Sequence, residues 1–108
     1  MDIYRNFELE DFVYVFEDPD YKFDHEMGMY EFTYKTEDSI VVFWWEDAAN
    51  MFRIDISTPH ADLTYGRFNV ERILLFDKDK GIIDVEIADG DSINIHLKPK
   101  ITFVLNDN

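Results

Sequence analysis

The sequence predicts an all-β fold, a small antiparallel meander forming a sandwich or a partly open barrel. Three observations carry this. Short runs rich in β-branched and aromatic residues alternate with polar ones at period two. Clusters of Asp, Asn, Ser, Pro and Gly punctuate them at short intervals. Gly and Pro total only 7 of 108 residues (4 + 3) while hydrophobic residues make up 46%, so the chain has enough apolar surface to build a core. The alternative is α+β, with an N-terminal helix packed on an antiparallel sheet, because Leu9, Phe12, Val13 and Phe16 fall at i, i+3, i+4 and i+7.

Along the chain, the dense β-branched and aromatic run Phe12 to Phe16 competes as a first strand, bounded by Asp11 and the turn-prone Glu17-Asp18-Pro19-Asp20. Met29 to Lys35 alternates, placing Tyr30, Phe32 and Tyr34 on one face. Ile40 to Glu46 reads as a central strand, and Phe52, Ile54 and Ile56 mark the next. Ser57 to Gly66 turns to Ser, Thr, Pro, His and Gly and is the longest candidate loop. Arg67 to Phe76 fits both periodicities and is read as strand, because Asp77-Lys78-Asp79-Lys80-Gly81 then forms a turn into Ile82 to Ile87. Asp89-Gly90-Asp91-Ser92 is a second tight turn, Ile93, Ile95 and Leu97 alternate after it, Pro99 closes that strand and Ile101 to Leu105 supplies the last.

The length suits one acidic domain spanning residues 1–108. The absence of cysteine removes disulfides, thiolate metal sites and Cys nucleophiles, and fits a reducing compartment. The longest apolar run, Ile40 to Trp45, is far short of a membrane span, and Met1 to Asp11 is acidic where a signal peptide is basic. The expectation is a soluble cytoplasmic protein.

Charge is the second organising fact. The chain carries 24 acidic and 10 basic residues, a net −14. Residues 1–62 hold 16 acids and 4 bases (−12), and residues 63–108 hold 8 and 6 (−2). Such a balance opposes direct binding to nucleic acid or to an anionic membrane, both of which need a basic face. It favours a cationic partner, beside its plain role of keeping the chain in solution.

Catalytic and metal motifs are sparse. The chain has no GxGxxG, phosphate loop or HExxH, and His25, His60 and His96 lie 35 and 36 residues apart, without close metal-ligand spacing. Asp77 to Gly81 superficially matches a calcium loop, but lysines fill its intervening places and Ala88 stands where a bidentate Glu belongs. No cofactor, metal or catalytic residue is assigned. Ser57, His60 and Asp62 share one loop and mark the place where a hydrolase would keep its chemistry.

The partner-binding set follows from the coincidence of acids with aromatic residues: Glu8, Glu10, Asp11, Glu17, Asp18, Asp20, Tyr21, Asp24, Glu26 and Trp45. Trp44 and Trp45 are adjacent in a strand and point to opposite faces, so one of them is exposed if the sheet has a single buried face. The expected function is a non-enzymatic inhibitor that blocks the basic, nucleic-acid-facing surface of a protein such as a nuclease. By analogy of composition alone, the categories this points to are the small acidic immunity proteins, antitoxins and phage anti-defence proteins that act as nucleic-acid mimics. The alternative is a small β-barrel or sandwich holding an apolar or sugar ligand against Tyr30, Phe32, Tyr34, Phe43 and a tryptophan.

Overall fold

The computed structural model describes residues 9–24, 26 and 28–107. These residues form one helix, α1 (Leu9–Phe16), and nine strands: β1 (Lys22–Asp24), β2 (Met29–Lys35), β3 (Ile40–Glu46), β4 (Met51–Ser57), β5 (Asp62–Arg67), β6 (Val70–Asp77), β7 (Ile82–Ile87), β8 (Ser92–His96) and β9 (Thr102–Asn106). The expected antiparallel all-β meander is present, as two sheets of order β1-β2-β3-β4-β5 and β6-β7-β8-β9. Within each sheet every strand pairs with its neighbour in sequence.

The N-terminal segment resolves in favour of the helical spacing, and the strand reading of Phe12 to Phe16 is corrected. Phe12, Val15 and Phe16 are buried while Tyr14 is 58% exposed. A strand would have set Tyr14 on the same side as Phe12 and Phe16, so the helix is the conformation that hides the apolar stripe and frees the tyrosine. The helix stops where Glu17 adopts a left-handed φ of 53°.

The chain divides into two compact units. In the unit Phe16–Phe68, β2 to β4 bury Phe32, Tyr34, Val41, Phe43, Trp45, Phe52, Ile54 and Ile56 on one face. Their register aligns Phe32 with Phe43 and Phe43 with Ile54, so the alternation of three strands stays in phase. Ring contacts run continuously across this face, from Phe23 on Tyr30 (4.4 Å between centroids) through Tyr30–Phe32 (6.3 Å), Phe32–Phe16 (5.6 Å), Phe16–Phe43 (5.9 Å) and Phe43–Phe52 (6.0 Å) to Tyr65 (6.1 Å). Such pairs add about 0.5–1.5 kcal/mol each beyond the area they bury.

The second unit contains residues 9–15 and 69–107 of the described chain. Its core is aliphatic: Val70, Ile73, Ile83, Val85, Ile87, Ile93, Ile95 and Leu97, with Phe12 and Val15. Asp77 to Gly81 is a hairpin turn, in which Asp77 Oδ1 accepts the N–H groups of Asp79 (3.0 Å) and Lys80 (3.1 Å) and Gly81 takes a φ of 65°. The dual periodicity of Arg67 to Phe76 has a physical source: the β6–β7 register shifts between Val70 and Arg72 and between Leu75 and Asp77, which breaks strict alternation. Ser57 to Gly66 is not a long loop. β4 continues through Ser57 and β5 starts at Asp62, leaving a four-residue connection.

Candidate functional site

The site is built on the open face of the β1–β5 sheet in the unit Phe16–Phe68. Strand geometry sends Glu31, Thr33, Val42, Trp44, Arg53 and Asp55 to the side opposite the buried aromatic face, and each is half-buried or exposed. β3 is therefore apolar on both faces although only one of them is closed.

After the left-handed Glu17, Pro19 sits in a turn closed by Tyr21 N–H donating to Asp18 O at 3.3 Å. Asp18 Oδ2 accepts the main-chain N–H of Thr33 at 2.9 Å, which fixes the turn to the part of β2 that β1 does not reach. Glu17, Asp18, Asp20 and Glu31 then surround one open hollow of about 670 Å³, together with Lys22, Lys35 and Thr33 over Phe16 and Pro19. Four carboxylates thus face two ammonium groups.

Glu31 joins this hollow to the centre of the sheet. Its Oε2 lies 3.4 Å from Lys22 Nζ, and its Oε1 accepts the Trp44 indole N–H at 2.5 Å. Arg53 lies over the Trp44 ring, 4.7 Å from Cζ to the centroid, and both Asp55 oxygens receive its Nε and Nη2 at 3.2 Å. Further along the same face, Ile40, Val42, Asp55, Asp62 and Thr64 line a second hollow of about 390 Å³.

The structure brings Glu17, Asp18 and Asp20 together. Asp24 ends β1 and Glu26 follows it in the turn, its N–H donating to Asp24 Oδ1 at 2.9 Å. Tyr21 packs on Phe32 (5.2 Å) and Tyr30 (6.4 Å), so its ring belongs to the aromatic series. Glu10 and Asp11 belong to the other unit, where Asp11 Oδ1 is paired with Lys78 Nζ at 3.2 Å. Glu8 lies outside the described residues, as does His25.

Trp45 is a correction. It is 1% exposed, opposite Tyr30 and Phe52 on the closed face, and has no surface to offer a partner. Its Nε1 finds no hydrogen-bond acceptor among the described residues. The half-buried member of the pair is Trp44, whose opposite phase follows from the period-two pleat. Glu31, Arg53 and Asp55 are the residues that sequence reasoning missed, and of the two tryptophans it weighed it placed Trp45 rather than Trp44 in the partner-binding set. Their signal was the apolar even positions of β3 set between charged positions of β2 and β4.

Phe32 and Phe43 are 1% and 0% exposed and serve as core. In the β4–β5 connection Ser57 Oγ donates directly to Asp62 Oδ1 at 2.8 Å, while the His60 main-chain N–H donates to Thr58 Oγ1. No hydrogen bond joins Ser57 to His60 among the described residues.

In the second unit, Asn106 Nδ2 donates to Asn94 Oδ1 (2.7 Å) and Asn94 Nδ2 donates to Asp84 Oδ1 (2.8 Å). Burial, followed by the nearby Glu86 charge, raises the Asp84 carboxyl above its ordinary value, against the lowering pull of Arg72 and the Asn94 bond. Glu86 binds Arg72 through both oxygens and holds that guanidinium charged. Among the described residues no helix is long and apolar enough to cross a membrane, and no group of three His, Cys, Asp or Glu is placed to hold a metal ion.

No protein-family model matches the chain, and no curated protein matches it in sequence. In structure it is similar to a chain of a contact-dependent growth inhibition toxin–immunity protein complex from Klebsiella pneumoniae 342, with a TM-score of 0.82 over 97% of each chain at 17% identity. At that identity the likeness establishes a shared fold.

Proposed function

We propose that this chain is a non-enzymatic, immunity-type protein that binds a cationic protein partner through the open face of the Phe16–Phe68 unit and blocks that partner's nucleic-acid-facing surface. The observation that carries the reading is the convergence of Glu17, Asp18, Asp20 and Glu31 on one hollow, held by the Asp18–Thr33 hydrogen bond. Carboxylates gathered in this way take the place of phosphates before a partner's lysines and arginines. Their mutual repulsion is relieved when the partner arrives, and their field speeds its approach. The fold shared with a chain of a toxin–immunity complex supports the same reading. Of the two roles in such a complex, a net charge of −14 suits the one that neutralises a basic toxin.

The test is co-expression with a panel of toxin domains from contact-dependent growth inhibition systems, beginning with the Klebsiella one, followed by calorimetry on the pair whose growth is rescued. Replacing Glu17, Asp18 and Asp20 together with lysine moves the net charge by two per residue, from −14 to −8. It should abolish rescue and weaken binding by at least roughly a hundredfold. The affinity of the wild-type chain should itself fall by about tenfold or more between low and high salt. Binding that ignores both salt and charge reversal would overturn the reading.

A further inference from the structure

The Arg53–Trp44–Asp55 arrangement has the parts of an arginine-binding site: an aromatic face, a carboxylate accepting a guanidinium through both oxygens, and a second carboxylate, Glu31, on the indole edge. The chain's own Arg53 fills it. All of these groups lie on the open face, and Glu31 also borders the acidic hollow, so the two features form one continuous surface within the Phe16–Phe68 unit.

We propose that Trp44, Asp55 and Glu31 form a pocket for an arginine side chain of the cationic partner, and that Arg53 is an internal stand-in which the partner's arginine displaces. This deepens the function proposed above and rests on it for the identity of the partner. Three features favour an incoming guanidinium over an apolar group. The pocket already holds one in stacked, two-point geometry. The carboxylates of Glu31, Asp55 and Glu46 lie on the same face as Trp44. Arg53 is itself exposed on that face, its side chain 48% accessible, and can swing into water without leaving a buried charge unpaired. An ammonium lacks the planar fork and matches Asp55 less well.

The experiment uses the full chain and three peptides of equal length: hexa-arginine, hexa-lysine and a Gly-Ser control, with binding followed by calorimetry and indole emission. Wild type should prefer hexa-arginine to hexa-lysine. Arg53→Ser vacates the pocket and should tighten hexa-arginine binding by about threefold to tenfold, a gain that misfolding cannot mimic. Trp44→Ala should weaken it by roughly tenfold, and Trp44→Phe by less. Unchanged or weaker binding by Arg53→Ser, or equal affinity for the two cationic peptides, would overturn the arginine pocket. Failure of the wider reading shows separately: the Glu17, Asp18 and Asp20 reversal would then leave growth rescue and toxin binding untouched, whatever Arg53→Ser does to the peptide.

Discussion

Asp18 accepts the main-chain N–H of Thr33 across fifteen residues of sequence, at 2.9 Å. This bond satisfies a donor at the edge of β2 and at the same time holds the acidic turn against the sheet. A charged acceptor on a half-buried main-chain donor is worth about 1.5–3 kcal/mol. Asp18→Ala should therefore lower stability by an amount in that range in urea unfolding, and Asp18→Asn by less, since its amide oxygen still accepts. Equal stability of all three proteins would show that the turn is held by other contacts.

The two tryptophans should separate cleanly. Trp45→Ala opens a cavity at a 1% exposed position and should cost roughly 3–5 kcal/mol. Trp44→Ala on the half-buried face should cost less than half as much. In Trp44→Phe, the remaining Trp45 emission should be blue-shifted and resist quenching by iodide, whereas Trp45→Phe should leave a readily quenched indole. Similar quenching in both variants would contradict the assignment of the two faces.

Gly81→Ala tests the β6–β7 turn. The residue has a φ of 65°, and an added Cβ would lie 3.0 Å from Leu97 Cβ and 3.2 Å from Val15 Cγ1. Backbone strain plus overpacking should cost about 2–4 kcal/mol. Gly28→Ala meets a similar φ of 60° but only an ordinary 3.4 Å contact with Asp47 Cβ, so its loss should be smaller. If the two variants melt together, crowding beneath the turn is not what selects glycine at position 81.

Asp84 gives the second unit a pH signature. Its carboxyl is raised in the fold, chiefly by burial, so ionisation is disfavoured there relative to the unfolded chain. Its contribution to stability is full below the unfolded carboxylate value and is lost as pH rises through the raised folded value. Asp84→Asn should raise the melting temperature at neutral pH, with the difference shrinking toward acid. Water screening keeps the gain below about 1 kcal/mol. A variant that is less stable than wild type at neutral pH would show that the Arg72 attraction outweighs the burial penalty.

Much of the architecture was legible because strand alternation is local. β2 to β4 and both Gly-containing hairpin turns sit where period-two patterns and turn residues put them. The helix at Leu9–Phe16 was ambiguous because Phe12-Val13-Tyr14-Val15-Phe16 favours a strand by residue type, and only burial of the Phe12-Val15-Phe16 stripe settles the matter. β5 was hidden because an exposed edge strand such as Asp62-Leu63-Thr64-Tyr65 has no buried side to impose alternation. The acids at 17, 18 and 20 were visible as a charge run. Their joining with Glu31 was not, since that depends on the Asp18–Thr33 bond. The choice between Trp44 and Trp45 needed the phase of a whole sheet, which neither residue carries by itself.

The continuous file of rings from Phe23 to Tyr65 has an optical consequence. Aromatic chromophores locked at fixed mutual angles produce near-ultraviolet circular dichroism, and in this molecule that file belongs wholly to the Phe16–Phe68 unit. Ellipticity near the aromatic bands would fade when that stacked array loosens, while the peptide bands register the aliphatic β6–β9 sheet as well. A melt followed at both wavelengths would thus reveal whether the two halves of the chain come apart in one cooperative event or in sequence.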